Sequence, residues 1–250
     1  MKTIRPLLVI LILTSFFTSK SQRYVTLEKA LKNSDKVKIL DLGRKKLTEI
    51  PPEVFQLVNL EELILYKNNL TTIPPEIKNL KNLKRLALSR NDIKSLPKEI
   101  GELKNLETLS LYMNELESLP WEIGNLTNLS ELKLNYNNLK ELPGSIGFLQ
   151  HLESLYLDNN QLTALPPQIG ECKSLALLYV GKNSIESLPA EMGNLTSLIE
   201  LDLAKSGVML NIPESLCNLR NLEYLQVDRN AIVPYCFQGI RNQKFHLIVR

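Results

Sequence analysis

Leucine-type residues recur every 23 positions at Val37, Leu60, Leu83, Leu106, Leu129, Leu152, Leu175 and Leu198, and a partial ninth unit opens at Leu222 after a unit of 24. A period this regular argues against a single compact core, because each unit can bury its apolar side only against copies of itself. Within the unit 106–128 the apolar slots are Leu106, Leu109, Leu111, Leu116, Leu119, Ile123 and Leu126; all eight full units fill them, with Cys172 and Met192 the loosest fits. The alternation of Leu109 and Leu111 predicts a short strand with one face inward. Leu116, Leu119, Ile123 and Leu126 then recur at three to four residues, which predicts a return path with one buried stripe. Stacked units pair such strands in parallel about 4.8 Å apart. The expected fold is therefore an α/β repeat solenoid with short helical or irregular turns on its outer side.

Two further columns punctuate the unit. Asn68, Asn91, Asn114, Asn137, Asn160, Asn183 and Asn230 follow the strands, where a short amide can satisfy inward-pointing backbone groups as the chain turns. Pro51, Pro74, Pro97, Pro120, Pro143, Pro166, Pro189 and Pro213 form the second column, suited to a turn that joins no ladder. Lys45 and Ser206 break the asparagine column, so the first and eighth turns are expected to be built differently. The extra residue in 207–211 predicts a local bulge that either aims Met209 or Leu210 outward or simply takes up slack.

The run Leu106-Glu-Thr-Leu109-Ser-Leu111-Tyr-Met-Asn114-Glu-Leu116-Glu-Ser-Leu119-Pro120-Trp-Glu-Ile123-Gly124-Asn-Leu126 resembles the leucine-rich repeat family. Its Leu-Pro-x-x-Ile-Gly-x-Leu ending is similar to the Ras-suppressor and scribble-like group and to bacterial repeat proteins. The resemblance covers residues 37–236 and implies a curved horseshoe whose concave parallel sheet binds partners.

The ends read differently from the repeats. Residues 1–21 combine Lys2 and Arg5, an apolar run from Pro6 to Phe17, and Ser19 and Ser21 at small-residue positions, the pattern of a cleaved signal peptide with an uncleaved membrane anchor as the alternative. Residues 22–36 read as an N-terminal capping helix, with Thr26 able to cap it and Val25, Leu27, Ala30 and Leu31 apolar. Residues 237–250 carry Phe245, Leu247 and Val249 in alternation, a strand-like C-terminal cap. The formal charge of +3 resides in Lys2, Arg5 and Lys20 of the leader. Without them the chain is neutral, and neutrality argues against binding nucleic acid. The expectation is an exported monomer without a stable membrane span once the leader is removed, secreted or held in the periplasm or at the cell surface. It would be cytoplasmic if the leader is unused.

Side chains between the inward leucines are free of the packing rule, and recognition is expected there. Six of the eight tyrosines, Tyr66, Tyr112, Tyr136, Tyr156, Tyr179 and Tyr224, fall on this surface. Tyrosine supplies rigid contact area with a polar tip and is enriched at interface centres. With Leu177 and Ile199 beside Tyr156 and Tyr179, the C-terminal half should present an apolar aromatic patch. The outermost column is basic at Arg44, Lys67, Arg90, Lys182, Lys205 and Arg229. Glu61, Glu107, Glu153 and Glu223 line the other end of the strands and are expected to neutralise it, leaving a solvated rim. Trp121 is expected to fold onto neighbouring turns.

Catalysis finds no support: His151 and His246 are the only histidines, no nucleophile motif accompanies either, and no glycine-rich phosphate loop occurs. No cofactor or metal is expected. Cys217 and Cys236 lie in neighbouring units and either pair or stay reduced, while Cys172 fills a leucine slot as a buried thiol. The reading is a non-catalytic module holding a protein or peptide ligand on the concave face. The alternative implied by the Ras-suppressor resemblance is an intracellular scaffold or regulator of a small GTPase.

Overall fold

The computed structural model describes residues 22–207, 209–237 and 245–250; the leader and Val208 lie outside them. The described residues form one parallel sheet whose strands follow each other in chain order. They are β1 (Arg23–Tyr24), β2 (Ile39–Asp41), β3 (Glu62–Ile64), β4 (Arg85–Ala87), β5 (Thr108–Ser110), β6 (Glu131–Lys133), β7 (Ser154–Tyr156), β8 (Leu177–Tyr179), β9 (Glu200–Asp202), β10 (Tyr224–Val227) and β11 (His246–Val249). Register follows the repeat directly: Leu109 sits beside Leu132 and Leu132 beside Leu155. Each middle leucine is buried against its copies, and Cys172 and Met192 fill their slots with no exposure.

The returns are 3-10 helices of five residues, such as Trp121–Asn125 and Gly144–Phe148. Each begins after a column proline at φ between −75° and −55°. The ring fixes that φ, and the proline carbonyl accepts the first bond of the turn, as Pro120 does from the Ile123 amide at 3.0 Å. Glycine after the isoleucine serves close stacking, since its φ is not positive. A Cβ on Gly147 would come within 2.5 Å of the Gln168 carbonyl oxygen in the next coil.

The asparagines stitch successive coils together. Asn137 Nδ2 donates to the Leu111 carbonyl at 3.0 Å and the Leu134 carbonyl at 2.9 Å, while its Oδ1 accepts from the Leu116 amide at 3.0 Å. Asn91 and Asn114 repeat this pattern at 7% and 8% exposure. The residue before this position is left-handed in eight coils: Arg44, Lys67, Arg90, Met113, Tyr136, Asn159, Lys182 and Lys205 all have φ between 55° and 60°.

The turns at Lys45 and Ser206 depart as expected. Lys45 and Leu47 both donate their amides to Asn68 Oδ1, and Lys46 adds a second left-handed residue. In the eighth coil the Ser206 backbone carbonyl takes the Ile185 amide that an asparagine Oδ1 takes elsewhere, and Ser206 Oγ donates to the Leu203 carbonyl. Gly207 is required beside it, because a Cβ there would run into the Ile185 carbonyl oxygen. Met209 points outward at 67% exposure, whereas Leu210 is buried.

Three expectations need correction. The helix over 22–36 is only Leu27–Leu31, followed by a 3-10 turn at Ser34–Lys36. Thr26 makes no side-chain cap bond and Val25 is exposed. The open edge of β2 recruits Arg23–Tyr24 as a strand and buries the Tyr24 ring, which competes with helix there. Asn230 is exposed rather than bridging, and Arg229 is absent from the left-handed set, because the Arg229 amide instead donates to the Arg250 carbonyl beyond β11. The alternation in the last segment does pair β11 with β10 and stacks Phe245 on Phe237, but Val249 stays half exposed at the sheet edge.

Candidate recognition surface

In each strand the middle leucine faces the core, so its two neighbours face the open side of the sheet. On β7 and β8 this places Tyr156 and Tyr179 in register, and their rings stack at 5.1 Å with planes 2° apart. Lys133 Nζ lies 5.6 Å over the far face of Tyr156. The pair therefore presents ring edges and hydroxyls. Burial, then the Glu200 carboxylate, pushes the Tyr179 phenol well above its ordinary value; burial also raises the Tyr156 phenol. Both phenols stay neutral donors at ordinary pH.

These rings line a depression of about 290 Å³ together with Tyr136, Asp158, Asn159, Lys182, Asp202, Lys205, Gln226 and Arg250. Asp202 Oδ1 accepts from Gln226 Nε2 and from the Ala204 amide, both at 2.8 Å. Burial nevertheless raises the Asp202 carboxyl, outweighing those bonds. Leu177 is half-buried beside the pair and Ile199 is 39% exposed.

The other tyrosines sort into separate environments. Tyr112 and Tyr136 meet edge to face at 5.5 Å, and Lys182 Nζ lies 6.0 Å over Tyr136. Tyr224 stacks on His246 at 5.2 Å and does not line the depression. Tyr66 lies at the opposite end of the sheet, with Arg44 and Arg90 guanidinium carbons 5.7 and 5.9 Å from its ring centre. Arg23, Asp41, Gly43, Arg44, Ile64 and Tyr66 line another hollow there, of about 390 Å³.

The neutralised rim is not what forms. Glu61 binds Lys38 at 2.7 Å and Lys84 at 3.1 Å, two cations at its own end of the strands, which also lower its carboxyl. Among the described residues no ion pair engages Arg44, Lys67, Arg90, Lys182, Lys205 or Arg229. On the return side Trp121 touches Phe148 edge to face at 6.2 Å yet stays 60% exposed, so its contact with the neighbouring turn is partial.

Asp158, Asp202, Gln226 and Arg250 are among the members of the depression that sequence reasoning did not single out. The first three are visible in its columns, but Arg250 reaches the site only because β11 adds to the sheet. Cys217 and Cys236 form a disulfide with Cα atoms 6.0 Å apart. Cys172 is buried, and desolvation pushes its thiol up to about 12, which makes it inert as a nucleophile. His151 Nδ1 contacts only the Thr127 carbonyl. Among the described residues no group of three or more His, Cys, Asp or Glu is placed to hold a metal ion, and no helix is long and apolar enough to cross a membrane.

Comparison with known proteins agrees with this architecture. A leucine-rich repeat region model matches residues 76–138 and 122–235, and a second leucine-rich repeat model matches residues 35–93. No curated protein sequence matches the chain. Among solved structures, the leucine-rich repeat protein LIC12759 of Leptospira interrogans is 29% identical with a TM-score of 0.56, covering 91% of this chain and 76% of its own. The ectodomain of the Arabidopsis thaliana receptor kinase GASSHO1/SCHENGEN3, in complex with CASPARIAN STRIP INTEGRITY FACTOR 2, is 32% identical with a TM-score of 0.75. That match covers 91% of this chain and 28% of the ectodomain. The Arabidopsis receptor kinase HAESA, in complex with the peptide hormone IDA and the co-receptor SERK1, is 27% identical with a TM-score of 0.65, over 78% of this chain and 35% of that one. With the repeat models spanning most of its length and a parallel one-strand-per-coil sheet beneath them, this chain belongs to the leucine-rich repeat family.

Proposed function

We propose that this protein is an exported, non-catalytic recognition module that holds a protein or peptide ligand on the open, concave face of its sheet. The stacked pair Tyr156 and Tyr179 carries the reading. Half-buried, pre-ordered aromatic side chains with neutral hydroxyls give a ligand rigid contact area at little conformational cost; Leu177 extends that area, and exposed Ile199 lies at the entry to the next strand. Tyr136 joins the same depression, while Tyr66, Tyr112 and Tyr224 lie along the same face as further contacts. The complexes of GASSHO1/SCHENGEN3 and HAESA with their peptides support a ligand of this class. The Cys217 to Cys236 disulfide supports export to an oxidising compartment, in keeping with the leader read from residues 1–21, and weighs against an intracellular GTPase regulator.

The test is capture of secreted or surface proteins by the purified chain and by Tyr156→Ala plus Tyr179→Ala. The double variant should keep its circular dichroism spectrum and lose the captured partner. Unchanged capture sinks the reading. N-terminal sequencing of the protein from fractionated cells tests export separately: the expected chain begins after the leader, outside the cytoplasm.

A further inference from the structure

Both ends of the open face carry exposed cations outside any ion pair among the described residues, but Lys182 and Lys205 share their depression with Asp158, Asp202 and the tyrosine pair. Near β2 to β4, Arg44, Lys67 and Arg90 stand exposed in successive coils without an ion pair among the described residues. Asp41, the acid that lines the same hollow as Arg44 and Tyr66, is occupied by Arg23 and by the Gly43 amide. Tyr66 lies within cation–π reach of both arginines, which favours conformers that keep the two charges beside its ring. Near β7 to β9 the same face carries the tyrosine pair with half-buried Leu177, while exposed Ile199 precedes β9 in the repeat column of Glu61.

We propose that the ligand is a bipartite polypeptide: an acidic segment docks on Arg44, Lys67 and Arg90, and an apolar or aromatic segment docks on Tyr156, Leu177 and Tyr179. This rests on the recognition reading above and specifies its partner. Charge complementarity selects the acidic end, because three unpaired cations in adjacent coils attract carboxylates and speed encounter. A polyanionic sugar or nucleic acid satisfies the cations and leaves the apolar end unmatched, whereas one polypeptide supplies both. Geometry sets the spacing: β3 and β8 are five strand steps apart, about 24 Å at ~4.8 Å per step, which an extended chain at ~3.4 Å per residue crosses in about seven residues.

The probes are labelled synthetic peptides carrying Glu-Asp-Glu, a Gly/Ser spacer and Leu-Phe-Leu, made in both chain directions, with single-block and short-spacer controls. The seven-residue spacer peptide should bind at least about tenfold tighter than either block alone, and a three-residue spacer should erase that gain, because one tether must reach both sites. Arg44→Glu plus Arg90→Glu should abolish the gain and its salt dependence while leaving the apolar block bound. The proposal falls if spacer length is without effect, if the acidic block alone binds as well as the whole, or if heparin or single-stranded DNA binds more tightly than the two-block peptide. The capture assay then separates the two readings. Capture lost with the tyrosine variant but kept with the arginine variant leaves concave recognition standing and removes only the bipartite partner; capture indifferent to both removes both.

Discussion

Asn137 in the fifth coil and Ser206 in the eighth occupy the same place in the repeat, yet they hold their turns by different means. Asn137 bonds three backbone groups in two coils through one amide. Ser206 supplies one side-chain donor and leaves the acceptor role to its own carbonyl, with Gly207 allowing the close approach that this requires. The middle coils thus owe their spacing to side chains repeated in register, while the eighth coil owes it to backbone contact and to its neighbours. One of those neighbours is the disulfide between Cys217 and Cys236, which ties the last long return to the segment after β10.

That contrast can be broken or sharpened by substitution. Asn137→Leu should have the largest effect, a loss of about 4 kcal/mol in urea unfolding, because two carbonyls and one amide lose their partner in a buried turn. Cys217→Ser plus Cys236→Ser should cost about 3 kcal/mol for a loop of this length, with early hydrogen exchange confined to the C-terminal coils. Equal loss of protection throughout the solenoid would contradict a staple that serves only the irregular end. Gly147→Ala should cost about 2 kcal/mol by forcing apart two stacked returns, read as a lower midpoint in thermal melts. Ser206→Ala should cost only about 1 kcal/mol, the worth of one hydrogen bond. Were it as damaging as Asn137→Leu, the backbone account of the eighth turn would be wrong.

The smallest effect concerns pH. The Asp202 carboxyl titrates above its ordinary value of 3.8 in the folded protein because of burial. Its stabilising contribution is therefore fully present below that ordinary value and is lost as pH rises through the raised one. Asp202→Asn should flatten this decline, seen as a narrowing gap between urea midpoints measured on either side of the window.

Most of the architecture was legible from the 23-residue recurrence alone. Strands, register, the buried slots at Cys172 and Met192, and the departures at Lys45 and Ser206 follow from residues that repeat, because each coil solves the same packing problem. What escaped were places governed by an edge or a rotamer. Arg23 and Tyr24 are strand only because β2 leaves an edge open. Asn230 has the right position, but the Arg229 amide before it donates to the Arg250 carbonyl beyond β11 where the ordinary ninth turn would be. The rim stayed unneutralised because Glu61 pairs with Lys38 and Lys84, its neighbours in the same column one 23-residue step away on either side, rather than across the strand with the rim. The tyrosine columns were readable as columns; that Tyr156 and Tyr179 would stack while Tyr112 and Tyr136 would cross at right angles was not.

The left-handed residue that opens the turn in eight coils has one more consequence. Its backbone sets a φ near 57°, as at Tyr136, which crowds a side chain branched at Cβ. Arginine, lysine, methionine, tyrosine and asparagine occupy the eight left-handed sites, and valine, isoleucine, threonine and proline occupy none. That margin of the horseshoe therefore writes in a restricted alphabet: it can exchange charge for aromaticity or length from coil to coil, but a compact branched surface is closed to it, whatever ligand selection might favour.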